Sequence, residues 1–176
     1  MIHIVLYEPE IPANTGNVIR TAMATNSVLH LIEPLGFSLE DKYLRRAGMD
    51  YIRDADIRIY PNWEAFTKKH PEEQCYFVTR YGKRPPSSFD FSDPDKDIYF
   101  VLGKESTGVD KHILKRNLDR CMRLPMVADA RSLNLGNTTA VVVYEALRQQ
   151  NYPGLSFTEQ LKGEDFLENL DPDALS

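Results

Sequence analysis

Alternation is the strongest constraint on this chain. Short runs at residues 2–7, 28–33, 56–60, 74–79, 97–102 and 120–124 are apolar or alternate with period two, and each is stopped by proline, glycine or a polar loop. Segments with helical spacing lie between most of them, at 14–26, 38–48, 61–70, 109–117 and 138–150. Strands that alternate with helices cannot pair as hairpins. They predict an α/β domain with a mainly parallel sheet and helices on both faces. A length of 176 residues predicts one domain with a substantial core.

Local chemistry places the helix ends. Val18/Ala22 and Ile19/Met23 make apolar i, i+4 pairs in a helix that starts at Asn14 or Thr15. Ser38 to Asp41 resembles a capping box with Asp in the last place. Lys68, Lys69 and His70 suit the negative end of the third helix. Asn137 is the expected N-cap of the final helix.

Charge is informative only once it is located. The net charge of −5 resides in residues 155–176, where six acids meet one base; residues 1–154 carry 20 acids and 20 bases and are neutral. Global charge therefore neither supports nor excludes RNA. The tail's Phe157, Leu161, Phe166, Leu167 and Leu170 leave open whether it docks as an amphipathic helix. Apolar runs such as 98–102 and 140–144 are too short to span a bilayer, so no membrane partner is expected. The N-terminus meets Glu8 and Pro9 too soon for a signal peptide. Cys75 and Cys121 sit in strand-like surroundings and read as buried thiols in a reducing, cytoplasmic setting.

Several familiar sites are absent. The nine glycines contain no G-x-G-x-x-G, Gly103-Lys104 lacks the rest of a phosphate loop, and no G-x-S-x-G is present. His3, His30, His70 and His112 are scattered without ligand spacing, so no metal site is expected. What remains is three polar loops, 9–17, 103–108 and 125–137, each following a strand. In an open α/β sheet such loops converge on one crevice. The last leads straight into a helix N-terminus, where unpaired amides can face a ligand.

These loops carry N-x-G-N-x-x-R at 14–20, Y-F-V-L-G-x-E-x-x-G at 99–108 and L-P-M-V-x-D-x-R-S-L-N-L-x-N at 124–137. In that order they resemble the three motifs of the SPOUT RNA methyltransferases. The opening I-V-L-Y-E-P-E-I-P at 4–12, with Asp41-Lys42 and L-R-R-A-G at 44–48, is similar to the TrmL/YibK branch. The resemblance covers residues 1–154, with an acidic tail beyond. Ala13, Gly136 and Thr138 depart from the usual proline, serine and alanine. It implies a C-terminal deep trefoil knot, an exception to the rule against threading. It also implies a homodimer whose active sites draw on both subunits, S-adenosylmethionine as cofactor, and methylation of the ribose 2′-oxygen at a tRNA wobble nucleotide.

Site residues follow from the same resemblance. Val78, Gly103, Leu124, Met126 and Ser132 are expected to contact the cofactor, Gly103 by permitting close approach. Arg20 resembles the arginine that the family assigns to activating the ribose hydroxyl. A guanidinium stays protonated, so binding phosphate or stabilising negative charge suits it better. Asn14 is expected to fix the first loop or the ribose, or to cap its helix. Glu105 is expected to hold the 103–108 loop through backbone amides or to face the sulfonium, and Asn134 to brace the loop of the knot. Tyr144, Arg45 and Arg46 are candidate RNA contacts. Further cations cluster at Lys42, at Arg80, Lys83 and Arg84, and at Lys111, Lys115, Arg116, Arg120 and Arg123.

Overall fold

The computed structural model describes residues 1–48 and 51–174; residues 49–50, and residues 175–176 of the acidic tail, lie outside them. Successive side chains of β1 (Ile2–Tyr7) point to opposite faces, and both faces are buried, so the run is almost continuously apolar. Ile2, Ile4 and Leu6 enter one core with Leu29, Leu31, Phe100 and Leu102. Val5 enters a second core with Ile32, Phe77 and Val101. β1 pairs with β2 (Val28–Ile32) and β5 (Ile98–Leu102); β3 (Ile57–Tyr60), β4 (Cys75–Val78) and β6 (Cys121–Met122) complete a parallel sheet in the order β3-β2-β1-β5-β4-β6.

Helices α1 (Pro12–Ala24), α2 (Lys42–Gly48) and α5 (Leu135–Gln149) cover the first core through residues such as Val18, Leu44 and Val143. α3 (Trp63–Thr67) and α4 (Lys111–Arg116) cover the second through Trp63, Phe66, Ile113 and Leu114. The expected α/β class, parallel sheet and two-sided helices are all present. Gly16 lets α1 and α2 approach closely: a Cβ there would stand 2.4 Å from the Leu44 carbonyl oxygen.

Several helix ends differ from expectation. α1 begins at Pro12 rather than Asn14 or Thr15, because proline already has helical φ and its missing N–H costs nothing in the first turn. Ser38 does not cap α2: Asp41 accepts from the Tyr43 and Leu44 amides at 2.8 and 3.3 Å, so the helix starts one residue after the aspartate. α5 begins at Leu135, with Asn134 and not Asn137 as its cap. α3 ends at Thr67, before the cationic stretch, and β6 is only two residues long.

Three of the four histidines come together in space. His3, His30 and His70 form a hydrogen-bonded chain with Tyr60 and Tyr99, each link 2.9 or 3.0 Å long. Two opposite proton directions satisfy every link, and Asp97 beside His3 selects the one in which Tyr99 donates to His70, His70 to Tyr60, Tyr60 to His30 and His30 to His3. That leaves the His3 Nε2 proton directed at Asp97, 3.4 Å away. All three rings are then neutral, which burial also favours. Cys75 and Cys121 are free and buried, and burial pushes the Cys75 thiol up to about 12, which makes it unreactive.

The C-terminal helix is clasped by the connection between β4 and β5. Gln149 donates to the Phe89 carbonyl and accepts from the Phe91 amide, while Gln150 donates to the Phe91 carbonyl. Beyond it, Tyr152 and Leu155 still pack on the first core. The tail forms turns rather than an amphipathic helix, apart from one 3-10 turn at Pro172–Ala174, and Phe157, Leu161 and Leu167 are exposed.

Candidate active site

Four neighbouring strands, β1, β5, β4 and β6, end on the same side of the sheet. The loops that leave them enclose a cleft of about 1050 Å³. Strand order changes direction here, which is where an open α/β sheet leaves room for a ligand. Val78, Leu102, Leu124 and Met126 give the cleft an apolar wall, while residues 129–134 and 103–108 supply polar groups.

The 103–108 loop is closed on itself. Lys104 and Gly108 form an isolated antiparallel bridge, and Gly108 has a φ of 76°, which only glycine adopts freely. A Cβ on Gly103 would stand 2.4 Å from the Gly108 backbone. The bare α-carbon of Gly103 is therefore required by its own loop, in addition to lining the cleft.

Hydrogen bonds tie the three motif loops together. Glu105 accepts from the Glu10 amide at 2.9 Å, the Ile11 amide at 3.3 Å and Asn14 Nδ2 at 3.4 Å. It thus holds the loop after β1 and the N-terminus of α1, not the amides of its own loop. Glu10 reciprocates, accepting from the Ser106 amide at 3.1 Å and the Ser106 hydroxyl at 2.7 Å. On its other side Asn14 Oδ1 accepts from Asn134 Nδ2 at 2.9 Å. Asn134 Oδ1 in turn accepts from the Gly136 and Asn137 amides at 2.8 and 3.2 Å. Asn14 is therefore a strut between loops and not a helix cap; Ile11 holds the cap position with no side-chain bond. Gly136 lets α5 begin against α1, since a Cβ there would come within 3.0 Å of the Asn17 Cβ.

Eight of the predicted residues line this cleft: Asn14, Val78, Gly103, Glu105, Leu124, Met126, Ser132 and Asn134. Ser132 is exposed and makes no hydrogen bond among the described residues, so its hydroxyl is not used to hold the loop. Arg20 is not with them. It lies on an exposed face of α1 outside the cleft lining. Tyr144 is 45% exposed on α5, beside Val141 at 49%. Arg46 is exposed on α2, and Arg45 is paired with Glu40.

Much of the expected cationic surface is used internally. Arg116 makes a bidentate pair with Glu72, whose carboxyl is held down at about 2, chiefly by that guanidinium. Arg120 bonds the Cys75 carbonyl and Asn117, Arg84 the Asp119 carbonyl, and Arg123 the Arg80 carbonyl. Lys104 pairs with Glu8 at 2.8 Å, a contact that raises its own pKa. Glu10 and Ser106 were not singled out from sequence; their only signal was their place in two loops already expected to meet.

The chain matches the SpoU rRNA Methylase family over residues 1–144. It is 54% identical over 155 residues to a Geobacillus stearothermophilus protein provisionally named a tRNA (cytidine(34)-2′-O)-methyltransferase, covering 88% of this chain and 99% of that one. A solved structure described as giving insights into 2-OH methylation of C/U34 on tRNA aligns with a TM-score of 0.77 at 38% identity, covering 86% of this chain and 97% of that one. An AdoMet-bound rRNA methyltransferase from Sinorhizobium meliloti aligns with a TM-score of 0.74 at 25% identity, covering 84% of this chain and 56% of that one.

Proposed function

The chain belongs to the SpoU rRNA methylase family, and from that premise we propose that it is an S-adenosylmethionine-dependent tRNA 2′-O-ribose methyltransferase acting on cytidine or uridine 34. The observation that carries this reading is the Glu105–Asn14–Asn134 strut, which draws three loops from three strands around one cleft. Residues 1–154 form the methyltransferase domain and 155–176 its acidic tail. No helix among the described residues is long and apolar enough to cross a membrane; the proposed substrate, tRNA, is what assigns the enzyme to the cytoplasm.

The cleft suits the cofactor. Its volume of about 1050 Å³ exceeds what a drug-sized ligand needs, leaving room for a nucleotide as well. Val78, Leu124 and Met126 offer apolar surface to an adenine, and the unengaged Ser132 hydroxyl can bond a polar group. When bound, the cofactor supplies an electrophilic methyl group. The protein's own task is to hold the ribose hydroxyl in line with it. Such alignment is worth on the order of 7 kcal/mol or more. Asn134 and Asn14 fix the loop beside that position. Arg20 stabilises the charge that develops on the ribose oxygen or binds the adjoining phosphate.

Arg20 stands outside its own chain's cleft, which supports a homodimer in which the partner subunit brings its arginine to the site. Val141 and Tyr144, exposed on α5 beside α1, provide an apolar surface for that contact. Tyr144 and Arg46 then also lie near the RNA, with Arg45 available once released from Glu40. The clasp of residues 85–91 around α5 supports a chain end threaded as a trefoil knot.

The test is transfer of labelled methyl from the cofactor to bulk tRNA, followed by mapping of the modified nucleotide. A single 2′-O-methyl mark at position 34 is expected. Methylation of rRNA alone would overturn the substrate, and cofactor binding without transfer to any RNA would overturn the enzyme.

A further inference from the structure

The motif residues leave one feature of the cleft unexplained, an aromatic ring standing in its mouth. Tyr81 follows β4, lines the cleft and is 53% exposed. Its turn is held rigidly. The Gly82 amide donates to the Thr79 carbonyl at 3.2 Å, the Tyr81 amide to the Thr79 hydroxyl at 3.3 Å, and Arg123 to the Arg80 carbonyl at 2.8 Å. Gly82 is pressed against the neighbouring strand, since a Cβ there would lie 2.3 Å from the Met122 backbone. Two cations flank the ring: Lys111 Nζ lies 5.4 Å from its centroid and the Arg80 guanidinium carbon 5.9 Å. Lys111 is itself anchored on the Thr107 carbonyl at 2.7 Å.

We propose that Tyr81 is a stacking platform for an unpaired nucleobase of the RNA substrate, with Arg80 and Lys111 holding phosphates beside that base. This rests on the reading that the protein takes RNA. A half-exposed ring on a fixed turn contributes little to the core, but it offers a flat π-face where single-stranded RNA can stack. The flanking charges decide between occupants. The methyl donor is a net cation, with one carboxylate against its sulfonium and ammonium, whereas each nucleotide brings a negative phosphate. Stacking accepts any base, so the platform adds affinity and orients the strand without choosing the base.

Binding of unmodified tRNA and of S-adenosylmethionine, measured separately for wild type, Tyr81→Ala, Tyr81→Phe and Arg80→Ala, tests this. Tyr81→Ala should raise the tRNA Kd by about 5- to 150-fold, as expected for loss of one base–aromatic stack, with cofactor Kd and salt slope unchanged. Tyr81→Phe should keep most of the affinity. Arg80→Ala should flatten the log–log salt dependence by about 0.7–0.9, the contribution of one phosphate contact. Unchanged tRNA affinity in Tyr81→Ala, beside a wild type that binds and methylates, sinks the platform alone. Loss of cofactor affinity with tRNA affinity intact would place the ring at the methyl donor, and equal losses in Ala and Phe would assign the effect to the hydroxyl; either overturns the proposal. A wild type that binds no tRNA overturns the RNA reading and the platform with it.

Discussion

Asn134 does two separable things, and two substitutions divide them. Its Oδ1 caps α5 through the Gly136 and Asn137 amides, and its Nδ2 donates to Asn14 at 2.9 Å. Losing a cap of this kind costs about 1 kcal/mol, and losing one net hydrogen bond costs about 1 kcal/mol more. Asn134→Ala removes both, for a total of roughly 2 kcal/mol. For a chain of this size that lowers Tm by roughly 4–8 °C. Asn134→Asp keeps the cap, since Asp and Asn cap about equally well, but sets a carboxylate oxygen against Asn14 Oδ1. Asn14 cannot simply flip its amide to meet it without turning its oxygen toward Glu105, another acceptor. The Asp variant should therefore lose about 1 kcal/mol and still lose much of its turnover, because the strut between loops is broken while the helix is intact. Denaturant unfolding together with methyl-transfer kinetics reads both effects. If Asn134→Asp matches wild type in stability and rate, the Asn14–Asn134 contact holds nothing; if it is as unstable as Asn134→Ala, the cap is not what fixes the start of α5.

Arg20→Ala should lose turnover far more than cofactor affinity, since the arginine lies outside the cleft lining; calorimetry beside single-turnover kinetics would expose an equal loss of both. Ser132→Ala should weaken cofactor binding about fivefold, the value of one net hydrogen bond, with no change in Tm, because that hydroxyl makes no hydrogen bond among the described residues. The histidine chain predicts acid sensitivity. Burial lowers His3, His30 and His70 below 6.5, His30 to about 3, in a setting that also holds Asp97, Asp56, Arg58 and Lys69. The unfolded chain takes up these protons first, so stability is complete above about pH 6.5 and falls as pH drops toward 3. By pH 5 the loss from His30 alone is ~2 kcal/mol, and urea midpoints that do not move between pH 7.5 and 5 would refute the neutral chain.

The parts of the fold legible in sequence are those governed by short-range rules. Period-two and helical patterns, broken by prolines and glycines, place each strand and α-helix among the described residues to within a few residues, though not the short 3-10 turns. The error at the start of α5 is one of competing caps. Asn134 and Asn137 are chemically equal candidates, and only the position of Asn14, 120 residues away in sequence, pins the first of them. The same separation hid the roles of Glu105 and Glu10, whose partners lie some 95 residues away along the chain. It hid the three histidines as well, because parallel strands bring together residues with no periodic relation. Arg20 shows the remaining limit most clearly. Motif resemblance attaches it to the chemistry, yet the single chain turns it toward solvent. On the proposed reading Arg20 meets a substrate when a second copy closes over it, so its outward turn is the observation that most favours the homodimer.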